Sequence, residues 1–236
     1  RYRRAVNLSA DSHDAHALDD ILITPLVAHA LERLLDNLEN SQGERSFMIF
    51  GPYGAGKSTF ALFVNALFNG GAHKKNQAYA ELSRKSPELA RRFAARCKAA
   101  SPWLCVPLTA RRSPIGQIVL EGLRAALEVL PGDAERQSVC QRLETLLQQA
   151  GWRDSAVVLE LVEEVRRLAL ARKRGGLLLI VDEAGKSLEY ALQDKAGGDV
   201  YLFQMLAEYA KRVTDAPMLF LTVQHQHFDG YTELSN

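Results

Sequence analysis

Thiols are scarce in this chain. Of its 236 residues only Cys97, Cys105 and Cys140 are cysteines, and no two stand at C-x-x-C or other metal-ligand spacing. So sparse and odd a set excludes a disulfide framework and a cysteine zinc cluster, and it points to reduced thiols in a cytoplasmic setting. Also missing is any apolar run as long as a bilayer-spanning helix, so no membrane partner is expected. No signal peptide is visible, although a sequence that begins at Arg1 and not at Met is expected to be a piece of something longer. An excess of one charge is missing too. The 29 Lys and Arg face 28 Asp and Glu, a net of +1, which excludes a global pull toward nucleic acid or membrane but leaves room for a local patch. There is no internal repeat and no low-complexity tract. What is present, 47% apolar and 24% charged residues, is the mix of an ordinary globular protein. At this length one domain is expected, with two small ones as the alternative.

The stretch from Phe47 to Phe60, FMIFGPYGAGKSTF, is the most informative in the chain. Gly51, Gly56, Lys57 and Ser58 fit G-x-x-x-x-G-K-[ST] without a gap, the pattern of a phosphate-binding loop. Phe47 to Phe50 reads as the buried strand entering it, and Thr59 to Leu67 has the apolar spacing of the helix leaving it. Gly51, Gly54 and Gly56 permit backbone angles that let Pro52, Tyr53 and Ala55 turn with them and aim several N–H groups at one anion. The helix adds the positive end of its dipole. Lys57 is expected to reach the β and γ phosphates, and Ser58 to bind Mg²⁺. Thr59 either touches the α phosphate or only starts the helix.

Before the loop, Arg1 to Ala17 reads as an extended basic, then polar, lead-in. A helix follows Pro25, with Leu26, Ala30, Leu31, Leu34, Leu35 and Leu38 on its apolar side. Ile23, Thr24 and Pro25 are expected to position that helix, with lining of an adenine site as the alternative. After Asn69-Gly70-Gly71 comes the most basic stretch, residues 73–98, with Lys74, Lys75, Arg84, Lys85, Arg91, Arg92, Arg96 and Lys98 against Glu81 and Glu88. It reads as a solvated helical face, with nucleic-acid phosphate contact as the alternative. Tyr79 and Phe93 are too few for a base-stacking platform.

Trp103 to Thr109 reads as a second buried strand, with Pro107 at an edge or end. Residues 114–174 read as a helical insertion: one helix from Pro114 to Leu130, then Ala134 to Ala150 and Ser155 to Lys173, split at Gly151. Leu177 to Val181 is a continuous aliphatic run, as in a strand covered on both faces, and it ends in Asp182-Glu183. Open α/β sheets bind ligands at that end of their strands. Asp182 is expected to hold the Mg²⁺ shell opposite Ser58, and Glu183 to orient and polarise an attacking water. A helix over Val200 to Val213 carries Tyr201, Leu202, Met205, Leu206 and Tyr209 on its apolar side. A fourth strand, Met218 to Val223, ends at Gln224-His225-Gln226-His227. Gln224 is the first choice for a residue at the γ phosphate and His225 the second. The His225/His227 spacing suits a metal, but no third ligand is apparent, so metal binding there is not expected.

GPYGAGKST at Gly51 to Thr59, LLLIVDE at Leu177 to Glu183 and the strand ending at Val223-Gln224, with WLCVPLT inserted between, resemble P-loop NTPases of the additional-strand, catalytic-glutamate division, such as AAA+ and STAND ATPases. The resemblance implies a three-layer α/β fold with a mainly parallel sheet in the order 2-3-4-1, helices on both faces and one edge strand beyond this sequence. It divides the chain into a lead-in and helix, 1–46, and an NTPase core, 47–236, without its lid. It implies ATP and Mg²⁺ as cofactors and ATP hydrolysis as the activity, with Glu183, Lys57 and Gln224 as catalytic residues. The absence of an N-K-x-D motif favours ATP over GTP. VDEAGKSLEYA at Val181 to Ala191 and VYLFQMLAEYA at Val200 to Ala210 further resemble large bacterial ATPases of anti-phage defence. That likeness implies a homo-oligomer, a separate effector protein, and Lys186 and Glu189 facing either a neighbouring subunit or the γ phosphate. Arg111, Arg112 and Arg212 are candidates for an arginine acting in trans. A nucleotide-gated scaffold and a small-molecule kinase are the competing expectations.

Overall fold

The computed structural model describes residues 6–12, 14, 16–18, 21–69, 72–97, 101–193, 200–213 and 217–225, with backbone only for 72–76. Arg1, Arg3, Arg4, Gly70, Gly71, Lys98, Gln226 and His227 lie outside the described residues, as do the side chains of Lys74 and Lys75.

One sheet of four parallel strands organises the chain: β1 (Ser46–Phe50), β2 (Leu104–Thr109), β3 (Leu177–Asp182) and β4 (Met218–Gln224), in the order β1-β4-β3-β2. This is the expected order read from the opposite edge. Central β3 and β4 are buried along their whole length. Alternation sends Leu178, Ile180, Leu219, Leu221 and Val223 to one face, and Leu177, Leu179, Val181, Met218 and Phe220 to the other. A strand apolar on both sides needs a helical layer on each, which is why these runs show no polar alternation.

The first face is covered by α1 (Leu8–Asp11), α2 (Pro25–Glu39), α3 (Lys57–Phe68), α4 (Ala72–Lys85) and α5 (Pro87–Arg96). The second is covered by α6 (Ile115–Ala126), α7 (Ala134–Gln148), α8 (Ser155–Ala171), α9 (Gly185–Gln193) and α10 (Tyr201–Arg212). The result is a three-layer α/β fold with the helical insertion α6–α8 between β2 and β3. Its caps are local: the side chains of Asp133 and Asp154 accept from the first backbone N–H groups of α7 and α8. Thr24 caps α2 in the same way, with Pro25 at the first helical position. No helix among the described residues is long and apolar enough to cross a membrane.

The basic stretch is helical, in two helices, since Pro87 starts α5 after the break at Ser86. Three expectations need correction. The lead-in is not extended throughout, because Asn7 and Asp11 cap α1 reciprocally: Asn7 Oδ1 accepts from Ala10 N–H at 3.1 Å, and Asp11 Oδ2 accepts from Asn7 N–H at 2.8 Å. Leu26, counted in the apolar stripe of α2, is 77% exposed, because the first turn of α2 projects beyond the core. Tyr201, at the first position of α10, is exposed for the same reason. Pro107 sits on edge strand β2, where its missing N–H breaks no ladder bond.

Candidate active site

The carboxyl ends of β1, β3 and β4 converge because the sheet is parallel, and their loops meet in one cleft of about 580 Å³. The loop after β1 forms one wall, from Tyr53 to Thr59. Gly54 and Gly56 have φ of 78° and 81°, the left-handed region that a side chain disfavours. Gly56 is the residue before α3, so the chain turns directly into a helix whose first residue is Lys57. The free N–H groups of that first turn make an anion-favouring end. Lys57 Nζ folds back and donates to the carbonyls of Gly51 and Pro52, at 2.7 Å each. Burial lowers the affinity of Lys57 for its proton, and the charge of Asp182 opposes this. Thr59 lines the cleft as well as standing in the first turn of α3.

Asp182 ends β3 and is only 1% exposed. Its Oδ1 accepts from Glu183 N–H at 2.9 Å. Its Oδ2 is buried and has no hydrogen-bond partner among the described residues. Burial pushes the carboxyl above the ordinary aspartate range, and the Ser58 hydroxyl is the first of the groups pulling it back. The Ser58 hydroxyl, at the head of the anion-favouring helix, and the Asp182 carboxyl that it bonds are a pair of hard oxygen ligands. That set fits Mg²⁺, which takes one or two protein oxygens and completes its shell from phosphates and water. No cluster of three or more His, Cys, Asp or Glu able to hold a metal is found among the described residues.

Glu183 lines the cleft in the left-handed region at φ 55°, rare for a residue with a side chain. It is locked there from both sides: its N–H goes to Asp182, its carbonyl accepts from Lys186 N–H at 2.9 Å, and its carboxylate pairs with the Lys186 ammonium. Lys186 therefore answers to Glu183, and Glu189 to Arg112 at 3.5 Å. Gln224 is buried, with Nε2 against Met48 Sδ at 2.8 Å, and does not line the cleft. His225 does, with its Nδ1 3.4 Å from Lys57 Nζ. At the end of β4 the structure thus brings the second choice, not the first, to the lysine.

The opposite wall is the lead-in. Val6, Asp11, Asp14, His16, Ala17 and Ile21 line the cleft, and none is marked by the sequence. They arrive because Ser9 ties α1 to the free edge of β2: its hydroxyl accepts from Thr109 N–H at 2.9 Å and donates to the Pro107 carbonyl at 3.3 Å. The Asn7–Asp11 spacing is the local signal for α1, but nothing in the sequence tells that it crosses to β2. Ile23, Thr24 and Pro25 bury, cap and start α2 and do not line the cleft.

The three arginine candidates stay outside the cleft. Arg111 pairs with Glu121 at 2.7 Å, Arg112 with Glu189, and Arg212 lies over the Tyr209 ring at 5.8 Å. In the basic stretch, Arg84 pairs with Glu81, Arg91 with Glu88, and Arg92 with Asp36 and Glu39 of α2. Compared with protein-family models, curated proteins and solved structures, the chain matches none.

Proposed function

We propose that this protein binds ATP with Mg²⁺ and hydrolyses it. One observation carries the reading: Lys57 at the head of α3 and the Ser58 hydroxyl beside it, on a glycine-bent loop, both act on the buried Asp182 carboxyl. The loop N–H groups and Lys57 hold the phosphate chain, with Lys57 leaving the Gly51 and Pro52 carbonyls for phosphate oxygens. Ser58 and Asp182 hold Mg²⁺, which supplies Lewis-acid stabilisation of the charge that develops on the phosphates. Glu183 orients the attacking water and accepts its proton, so its pairing with Lys186 has to loosen in the reactive state. On the wall opposite the loop, Val6, Ala17 and Ile21 supply apolar surface for the base among Asp11, Asp14 and His16.

The narrower resemblance to large bacterial ATPases of anti-phage defence, carried by Val181 to Ala191 and Val200 to Ala210, extends the proposal to a homo-oligomer that controls a separate effector protein in such defence. The internal pairing of Arg111 and Arg112 fits a site that turns over slowly until a neighbour contributes a cation. Glu183→Gln tests both levels. It is expected to keep Mg²⁺·ATP, to lose at least ~100-fold in turnover as removal of a general base does, and to shift to larger particles in mass photometry with ATP. Undiminished turnover would remove Glu183 from the chemistry; unchanged particle mass would remove nucleotide-driven assembly. A nucleotide-gated scaffold is the second reading, supported by the same Glu183–Lys186 pairing, and it predicts assembly without turnover.

A further inference from the structure

His225 stands in a configuration that its place beyond β4 does not require. Its ring stacks on Tyr53, with centroids 3.5 Å apart and planes 24° from parallel, and its Nδ1 is 3.4 Å from the Lys57 ammonium. An ammonium has donors only, so Nδ1 carries the lone pair and the proton sits on Nε2. Tyr53 is 80% exposed, so this is no core contact; a loop side chain is laid across the imidazole at the mouth of the cleft.

Asp11, Asp14 and His16 line the opposite wall of the same cleft, and among the described residues the charges that act on the ring come from three elements. Lys57 faces it from α3, Glu183 from the end of β3 and Lys186 from α9, while Tyr53 covers it from the loop. Burial is the largest influence and lowers the affinity of His225 for a proton; Lys57 and Lys186 act in the same direction and Glu183 against them. The imidazole is therefore held neutral beside a lysine that is itself waiting for an anion. A terminal phosphate brought to Lys57 changes the sign of this environment.

Resting on the reading of the cleft as a nucleoside-triphosphate site, we propose that His225 distinguishes triphosphate from diphosphate by becoming protonated when the terminal phosphate arrives. The proton comes from solvent and adds to the Nδ1 lone pair that had accepted from Lys57. The imidazolium then donates to a terminal phosphate oxygen, and Lys57 turns to the same phosphates. A diphosphate, whose charge ends within the loop, leaves His225 neutral against Lys57 and Tyr53. Triphosphate affinity accordingly rises as pH falls through the histidine range, and this gain disappears as pH rises above the value in the complex.

The test is calorimetry of the full chain with Mg²⁺ and either ADP or a non-hydrolysable ATP analogue, from about pH 8 to about pH 6, in buffers of different ionisation enthalpy. The expected result is net proton uptake with the triphosphate but not with ADP, and a triphosphate affinity that gains up to about tenfold per pH unit, the limit for one linked proton. His225→Gln is expected to flatten that dependence, and comparison at equal pH removes the phosphate's own titration. Equal proton uptake for ADP and the analogue in the unsubstituted protein overturns the proposal, and so does an unchanged pH dependence in the variant. If neither nucleotide binds at any pH, the underlying reading of the cleft fails and the proposal with it.

Discussion

Asp182 is kept where its charge is disfavoured: buried, with one oxygen lacking a partner among the described residues. Because its affinity for a proton is raised by folding, its contribution to stability is fully present below the unfolded value, about pH 3.9, and is lost as pH rises through the folded value. Ionised, the side chain therefore destabilises the protein, through the lost hydration of its charge. Asp182→Asn keeps an acceptor for Glu183 N–H and removes the charge. It is expected to gain about 1 kcal/mol, a rise of ~2–4 °C in the midpoint for a chain of this size. In thermal melts that gain should shrink on acidification, and added Mg²⁺ with ATP should stabilise the variant less than the parent. A lower midpoint for the variant at neutral pH would contradict this account of Asp182. Glu183, one residue on, stores a second cost in its left-handed backbone. A site that concentrates desolvated charge and unfavourable φ is organised for a ligand more than for stability.

Among the elements, those that hold the proposed phosphate-binding residues were legible and the one that closes the cleft was not. A glycine-bent loop between an apolar run and a helical spacing declares itself locally, and so does Leu177 to Asp182, whose unbroken aliphatic pattern is what burial on both faces demands. The insertion α6–α8 follows from its proline and glycine stops and from Asp133 and Asp154 caps. Helix α1 depends on a contact about a hundred residues away, Ser9 with Thr109, which no local pattern encodes. The ranking of Gln224 ahead of His225 does not hold at the lysine either, since a change of one residue at a strand end reverses the face of the sheet. Ser9→Ala tests the α1 link. Losing the bonds of its hydroxyl to Pro107 and Thr109 of β2 should cost about 0.5–1.5 kcal/mol and weaken nucleotide binding, because Asp11, Asp14 and His16 reach the cleft through α1. A midpoint and nucleotide affinity both equal to those of the unsubstituted protein would show that α1 holds its place without Ser9.

At the scale of the molecule, two apolar layers fix a parallel sheet between them, and the sheet delivers three strand ends to one cleft. The near-neutral chain joins many of its surface charges in pairs, as where Arg92 of α5 meets Asp36 and Glu39 of α2. The cleft and the buried Asp182, next to cleft-lining Glu183, depart from that balance: one Asp182 oxygen has no partner among the described residues, and Lys57 donates there to backbone carbonyls and an imidazole. The measurement that bears most directly on its purpose is calorimetric titration of Mg²⁺·ATP into the unsubstituted chain and into Lys57→Ala. Saturable one-site binding by the first, weakened at least tenfold in a folded Lys57→Ala, is the predicted result; equal binding by both, or no binding by the folded unsubstituted chain, would contradict it.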